Sequence, residues 1–151
     1  MPKKNLRSGK RSKFEERVGE QLDEANMPYT YETWSYEYDE PLRKNLARCA
    51  ECGSRTLLRT GWYTPDFFLD NGVIIESKGR FTAADRRKMA AIKEHHPDVD
   101  IKMLFMRDNK IHKRSQTKYS DWCEANGYDY SIGEVKPEWL ETNPKDGSSG
   151  T

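Results

Sequence analysis

No run of about 18 apolar residues occurs in this chain of 151 residues, which excludes a membrane-spanning helix. The opening stretch, MPKKNLRSGKRSK, is basic but has no apolar segment, so it does not read as a secretory signal. An intracellular location is expected. Cysteine is scarce as well: Cys49, Cys52 and Cys123 are the whole complement. In a reducing compartment three cysteines do not make a disulfide framework. Apolar residues are no commoner than charged ones, each at 34%, so the chain suffices for one domain with a modest core.

The net charge of +1 conceals strong segregation. Lys3, Lys4, Arg7, Lys10, Arg11 and Lys13 crowd the first 13 residues without an acid. Arg43, Lys44, Arg48, Arg55 and Arg59 form a second basic block, and Arg107, Lys110, Lys113, Arg114 and Lys118 a third. Acids gather at 15–40 and in the last third. Basic blocks that converge on one face make a phosphate-binding surface. Scattered over separate loops, they are only solvated charge.

Residues 1–11 read as a flexible basic arm. Ser12 is placed to cap a helix, with Glu15 completing a capping box. Phe14, Val18 and Leu22 give that helix one apolar stripe to about residue 25, and Asn26 and Pro28 stop it. Residues 29–38 read as one aromatic strand with Trp34, Tyr36 and Tyr38 on a shared face. Residues 39–60 look irregular and basic. A hairpin follows, with arms at 63–69 and 73–78 around Asp70-Asn71-Gly72. Thr82, with Asp85 three positions on, opens a second helix to about His95. An apolar strand is expected at 101–106, a third helix at about 117–126 ending on Gly127, and a short extended piece at 128–132. Residues 141–151 read as a disordered tail. This order predicts the α/β class, a small mixed sheet flanked by helices.

The hairpin carries the chemistry. If its turn spans the three residues 70–72, Leu69 faces Val73 and Asp66 faces Glu76. Directly opposed residues point to one side, and Lys78, two positions beyond Glu76, shares it. A two-residue turn would pair Asp66 with Ser77 and split the acids. Two close carboxylates repel when both are ionised, and a divalent cation relieves them. Oxygen ligands favour Mg²⁺ or Mn²⁺. The bland alternative is a cross-strand ion pair of Lys78 with Asp66 or Glu76.

Thr64-Pro65-Asp66 followed by Glu76-Ser77-Lys78 resembles the PD-(D/E)xK nuclease signature. The stretches Phe14-Glu15-Glu16-Arg17-Val18, Tyr29-Thr30-Tyr31-Glu32-Thr33-Trp34, Tyr63-Thr64-Pro65-Asp66-Phe67, Asn71-Gly72-Val73, Glu76-Ser77-Lys78-Gly79, Asp85-Arg86-Arg87-Lys88, His96-Pro97 and Pro137-Glu138-Trp139 resemble the phage endonuclease I family over residues 12–140. The resemblance implies a restriction-endonuclease-like core and an intertwined homodimer. It also implies a nuclease that cuts four-way (Holliday) junctions and branched DNA, in the host cytoplasm if phage-encoded. It further implies Glu15, Asp66, Glu76 and Lys78 as catalytic residues. Local helix physics assigns Glu15 to capping, so its catalytic role rests on the resemblance. Glu16 faces elsewhere.

On this basis Asp66 and Glu76 are expected to hold Mg²⁺ or Mn²⁺, two ions per site. The Ser77 carbonyl is a possible extra ligand, and Glu15 helps with the second ion or water. Lys78 orients water or stabilises charge. The arm residues Lys3, Lys4, Arg7, Lys10, Arg11 and Lys13, with Arg80, Arg86, Arg87 and Lys88, are expected to grip phosphates.

The connection at 39–61 is longer than the family pattern implies. It contains Cys49 and Cys52, half of a zinc knuckle. His112 and Cys123, or the same pair from a two-fold partner, are candidates to complete a Zn²⁺ site. Otherwise these are two loop thiols. Cys123 itself reads as core packing, and His95 and His96 as cap or surface residues. Two rival functions remain open: another PD-(D/E)xK nuclease acting on duplex or single-stranded DNA, and a non-enzymatic nucleic-acid-binding module.

Overall fold

The computed structural model describes residues 3–4, 12–41 and 58–141. Cys49, Cys52, Arg7, Lys10, Arg11, most of the inserted connection and the tail from residue 142 lie outside the described residues. In chain order the elements are β1 (Lys3–Lys4), α1 (Lys13–Glu24), β2 (Tyr29–Tyr31), β3 (Trp34–Pro41), β4 (Leu58–Tyr63), β5 (Phe67–Leu69), β6 (Ile74–Lys78), α2 (Ala83–His95), β7 (Ile101–Phe105), α3 (Tyr119–Asn126), β8 (Asp129–Ile132) and a 3₁₀ turn, Pro137–Leu140. No helix among the described residues is long and apolar enough to cross a membrane.

The expected mixed α/β architecture is present. A five-stranded sheet runs β2-β5-β6-β7-β8. Its β2, β5 and β6 pair antiparallel, whereas β6, β7 and β8 run parallel. Parallel neighbours need a long crossover, which α2 supplies between β6 and β7. Successive residues of the central strands enter opposite cores. Phe67, Ile75 and Leu104 join Phe14, Val18 and Leu22 of α1. Ile74, Met103 and Phe105 join Met89 and Ile92 of α2 and Cys123 of α3. A strand buried on both faces must be apolar at nearly every position, which explains the Val73-Ile74-Ile75 run.

Trp139 closes the α1 side. It is 2% exposed, and its indole N–H donates to Asp129 at 2.7 Å. Trp139→Ala should cost about 3–5 kcal/mol by cavity formation, measurable as a lowered denaturant midpoint.

Two strands depart from the sequence expectation. The single strand expected over 29–38 is broken at Glu32, a non-glycine residue at φ +47°, so β2 stays in the large sheet while β3 leaves it. The hairpin arm expected at 63–69 is likewise two strands, because Thr64-Pro65-Asp66 interrupts the ladder and proline has no donor. Both ends of the supposedly irregular segment 39–60 are strand instead. They pair β3 with β4 in a second sheet of order β1-β3-β4. Tyr38 faces Gly61 there, and a Cβ on Gly61 would stand 2.9 Å from the Tyr38 ring. Any larger residue at 61 would push that ring aside. His95 and His96, at the end of α2, meet the backbone carbonyls of Asp39 and Glu37 and fasten this sheet to the helix.

The hairpin register is the three-residue-turn alternative. Phe67 pairs with Ile75 and Phe68 with Ile74. Leu69 N–H donates to the Val73 carbonyl at 2.8 Å, and Gly72 N–H to the Leu69 carbonyl at 3.0 Å. Gly72 takes φ +92°, which only glycine adopts without strain. Asn71 accepts from Val73 N–H and donates to the carbonyls of Trp139 and Glu141.

Candidate active site

Asp66 stands at the mouth of the hairpin, immediately before β5, and Glu76 and Lys78 stand on β6. Asp66 is 7% exposed and Glu76 4%. The Asp66 Oδ2 accepts from Ser77 N–H at 2.9 Å and from Ser77 Oγ at 2.7 Å. Its backbone carbonyl accepts from Glu32 N–H at 2.8 Å. The preceding Thr64 shares a 2.6 Å hydroxyl contact with Ser35 of β3. The left-handed turn at Glu32 therefore aims a donor at the strand break that presents Asp66.

Glu76 Oε1 accepts from the Tyr63 hydroxyl at 2.9 Å, and Glu76 Oε2 lies 3.1 Å from Lys78 Nζ. Lys78 Nζ also lies 3.4 Å from Asp85 Oδ1 at the start of α2. Among the described residues no buried side-chain polar atom lacks a partner.

The electrostatics follow from burial and crowding. Burial, Glu76 and Glu15 push the Asp66 carboxyl well above its ordinary range, against the Ser77 hydrogen bonds. Burial raises Glu76 too, although Lys78, Tyr63 and Lys88 pull the other way. Burial pulls the Lys78 ammonium down, but Glu76, Asp85 and Asp66 outweigh it and hold its pKa above the lysine norm. The two carboxylates at 3.1 and 3.4 Å favour the charged form of the amine. Burial, then Glu76 and Asp66, drive the Tyr63 phenol well above its usual value.

Glu15 occupies the first turn of α1, with its N–H bonded to Ser12 Oγ at 3.1 Å. Its carboxylate does not complete the capping box; it accepts from the Tyr31 hydroxyl. Tyr31 packs edge-on against Phe67, so α1, β2 and β5 meet at this acid. Glu16 is exposed. Among the described residues no three His, Cys, Asp or Glu side chains converge closely enough to hold a metal ion. The chemically suited donors are the Asp66 and Glu76 pair. Cys123 is fully buried in the α2/α3 core, and burial pushes its thiol up to about 12. Its place in that core fits the packing role.

Of the expected phosphate-gripping residues, Arg80 is exposed between β6 and α2. Arg86 is partly buried and donates to the Phe81 carbonyl at 2.7 Å. Arg87 and Lys88 are partly buried on α2, and Lys13 is exposed at the start of α1. Lys3 and Lys4 pair as β1 with Ser35 and Trp34.

Sequence reasoning missed Tyr63, the second contact of Asp85 and the backbone donor of Glu32. Tyr63 carried no usable signal, because unbroken alternation from Asp66 would place it on the opposite face, and only the break at Pro65 brings it beside Glu76.

A mixed sheet that buries two carboxylates beside a lysine is a compact anionic site suited to oxygen-ligand chemistry. The family model described as phage endonuclease I matches residues 57–150. The chain is 31% identical over 137 residues to endonuclease I of Escherichia phage T7, covering 90% of this chain and 81% of that protein. It is 36% identical over 118 residues to endodeoxyribonuclease 1 of Enterobacteria phage T3, covering 78% and 67% respectively. The chain belongs to the phage endonuclease I family.

Proposed function

We propose that this protein is a structure-selective DNA endonuclease that resolves four-way junctions and branched DNA by metal-dependent phosphodiester hydrolysis, working as an intertwined homodimer. The observation that carries this reading is the buried pair Asp66 and Glu76 with Lys78 at its edge. DNA as the substrate class is supported by the name of the T3 relative, an endodeoxyribonuclease.

The donor set fits a hard divalent cation. Burial and mutual repulsion work against ionisation of both carboxyls, and a cation offsets both. Mg²⁺ commonly uses one or two carboxylates and keeps several waters, so a pair is enough. Asp66 and Glu76 would hold it, with the Ser77 carbonyl as a further ligand and Glu15 toward a second ion. When bound, Mg²⁺ or Mn²⁺ supplies charge neutralisation at the phosphate and lowers the pKa of water.

The chain's own residues do the rest. Ser77 orients Asp66 through two hydrogen bonds, and Tyr63 orients Glu76. Lys78 stays protonated and donates to the attacking water or to the charge developing on the phosphate. The basic residues of the arm and of α2 would fix DNA by its backbone, giving shape selectivity and strong salt dependence.

The test is cleavage of a synthetic four-way junction and of a linear duplex with the same arm sequences, with and without Mg²⁺. Mg²⁺-dependent cleavage at least about tenfold faster on the junction is expected. Equal rates on the duplex would replace this reading with a general nuclease. Binding without cleavage in Mg²⁺ and in Mn²⁺ would replace it with a binding module.

A further inference from the structure

The Lys78 ammonium has two anionic partners, and one of them has no place in the carboxylate pair. That second partner, Asp85, is the third residue of α2. Its carboxylate is divided. Oδ2 accepts from Thr82 N–H at 2.9 Å and from Thr82 Oγ1 at 2.9 Å, while Asp85 N–H returns a bond to Thr82 Oγ1 at 3.1 Å. The other oxygen, Oδ1, is turned to Lys78 Nζ.

A capping box requires an acceptor at this position and no charge; glutamine serves as well as glutamate. The cap alone therefore does not explain a carboxylate here with its second oxygen aimed at the site. Lysine is a flexible stem with a compact charge. Anchored only by Glu76, the ammonium would lie against the carboxylate proposed as a metal ligand. An anchor on the far side, fixed to the first turn of a helix, holds Nζ between two carboxylates. Both side chains are largely shielded, with Lys78 20% and Asp85 21% exposed, so the contact is not a solvent-screened surface pair.

We infer that Asp85 is a positioning residue that ties Lys78 to the capping box of α2 and keeps its ammonium aligned for the reaction. This inference rests on the endonuclease reading above, and on Lys78 acting in it.

The test uses the full chain and four substitutions, each followed by single-turnover cleavage in Mg²⁺, DNA affinity in EDTA and Tm. Asp85→Asn keeps an acceptor for Thr82 and removes the charge. It should lower the cleavage rate about 10–100-fold, the penalty typical of a small misplacement at a reacting centre, with affinity and Tm near wild type. Asp85→Glu, which keeps the charge, should recover most of the rate. Thr82→Ala removes the hydroxyl but keeps the Thr82 N–H bond to Oδ2 and the Asp85 charge beside Lys78, so Tm should fall while the rate falls clearly less than in Asp85→Asn.

A wild-type rate for Asp85→Asn would overturn the inference. So would a rate loss in Thr82→Ala equal to that of Asp85→Asn, because the cap alone would then explain both. Lys78→Ala separates the two levels: full activity there rejects the role of Lys78, whereas an inactive Lys78→Ala beside a fully active Asp85→Asn rejects Asp85 only.

Discussion

Lys78→Ala is expected to lower single-turnover cleavage of a four-way junction by about 10²–10³-fold, the usual cost of removing one aligned donor to developing charge. Junction affinity measured in EDTA should remain within about twofold. The asymmetry has a structural basis. Lys78 is a partly buried single charge already engaged by Glu76 and Asp85, so it adds little to a DNA grip shared among many basic residues. Its worth lies in the transition state, where negative charge accumulates beside a protonated donor. Glu76→Ala should remove cleavage to below detection under the same conditions. Full activity of either variant would reject the site.

Asp66→Asn should abolish cleavage and at the same time raise the Tm of the metal-free protein at neutral pH. Burial and the neighbouring Glu76 hold the Asp66 carboxyl well above its ordinary range. For a carboxyl whose folded pKa is raised, the folded state binds the proton more tightly than the unfolded state does. The associated stability is complete below the ordinary carboxylate range and is lost as pH rises through the raised value. At neutral pH the metal-free site therefore opposes folding, and a neutral amide removes that opposition. Asparagine still offers an oxygen to Ser77 N–H and Oγ. Each 1 kcal/mol relieved corresponds to roughly 2–4 °C in a chain of about this size. The wild-type protein without metal should correspondingly gain stability as pH is lowered from neutral toward the ordinary carboxylate range, and Asp66→Asn should show much less of that gain. A lower Tm for Asp66→Asn at neutral pH would mean that the carboxylate is needed structurally.

Local chemistry made much of this site legible before any fold was known. Thr82 and Asp85 announce α2, Gly127 ends α3 in the left-handed conformation, and Asp70-Asn71-Gly72 sets the register that pairs Phe67 with Ile75 and leaves Asp66 beside Glu76 and Ser77. These are interactions between residues a few positions apart, so their geometry follows from backbone periodicity and turn sterics. Lys78 follows from Glu76 by strand alternation alone.

What only the tertiary structure decided involves partners distant in the chain. Glu15 satisfies the spacing of a capping box, but its carboxylate goes to Tyr31, because β2 pairs with β5 and delivers that hydroxyl to the first turn of α1. The aromatic run 29–38 contains no breaker residue. It divides at Glu32 because one half completes the large sheet while the other pairs with β4. Tyr63 reaches Glu76 across that divide. Asp85 reveals its second role only when α2 folds back over β6. The sequence by itself determined which carboxylates and which lysine share the hairpin. The surrounding hydroxyls, the backbone donor and the second anchor of Lys78 came from long-range packing, which residue spacing does not encode.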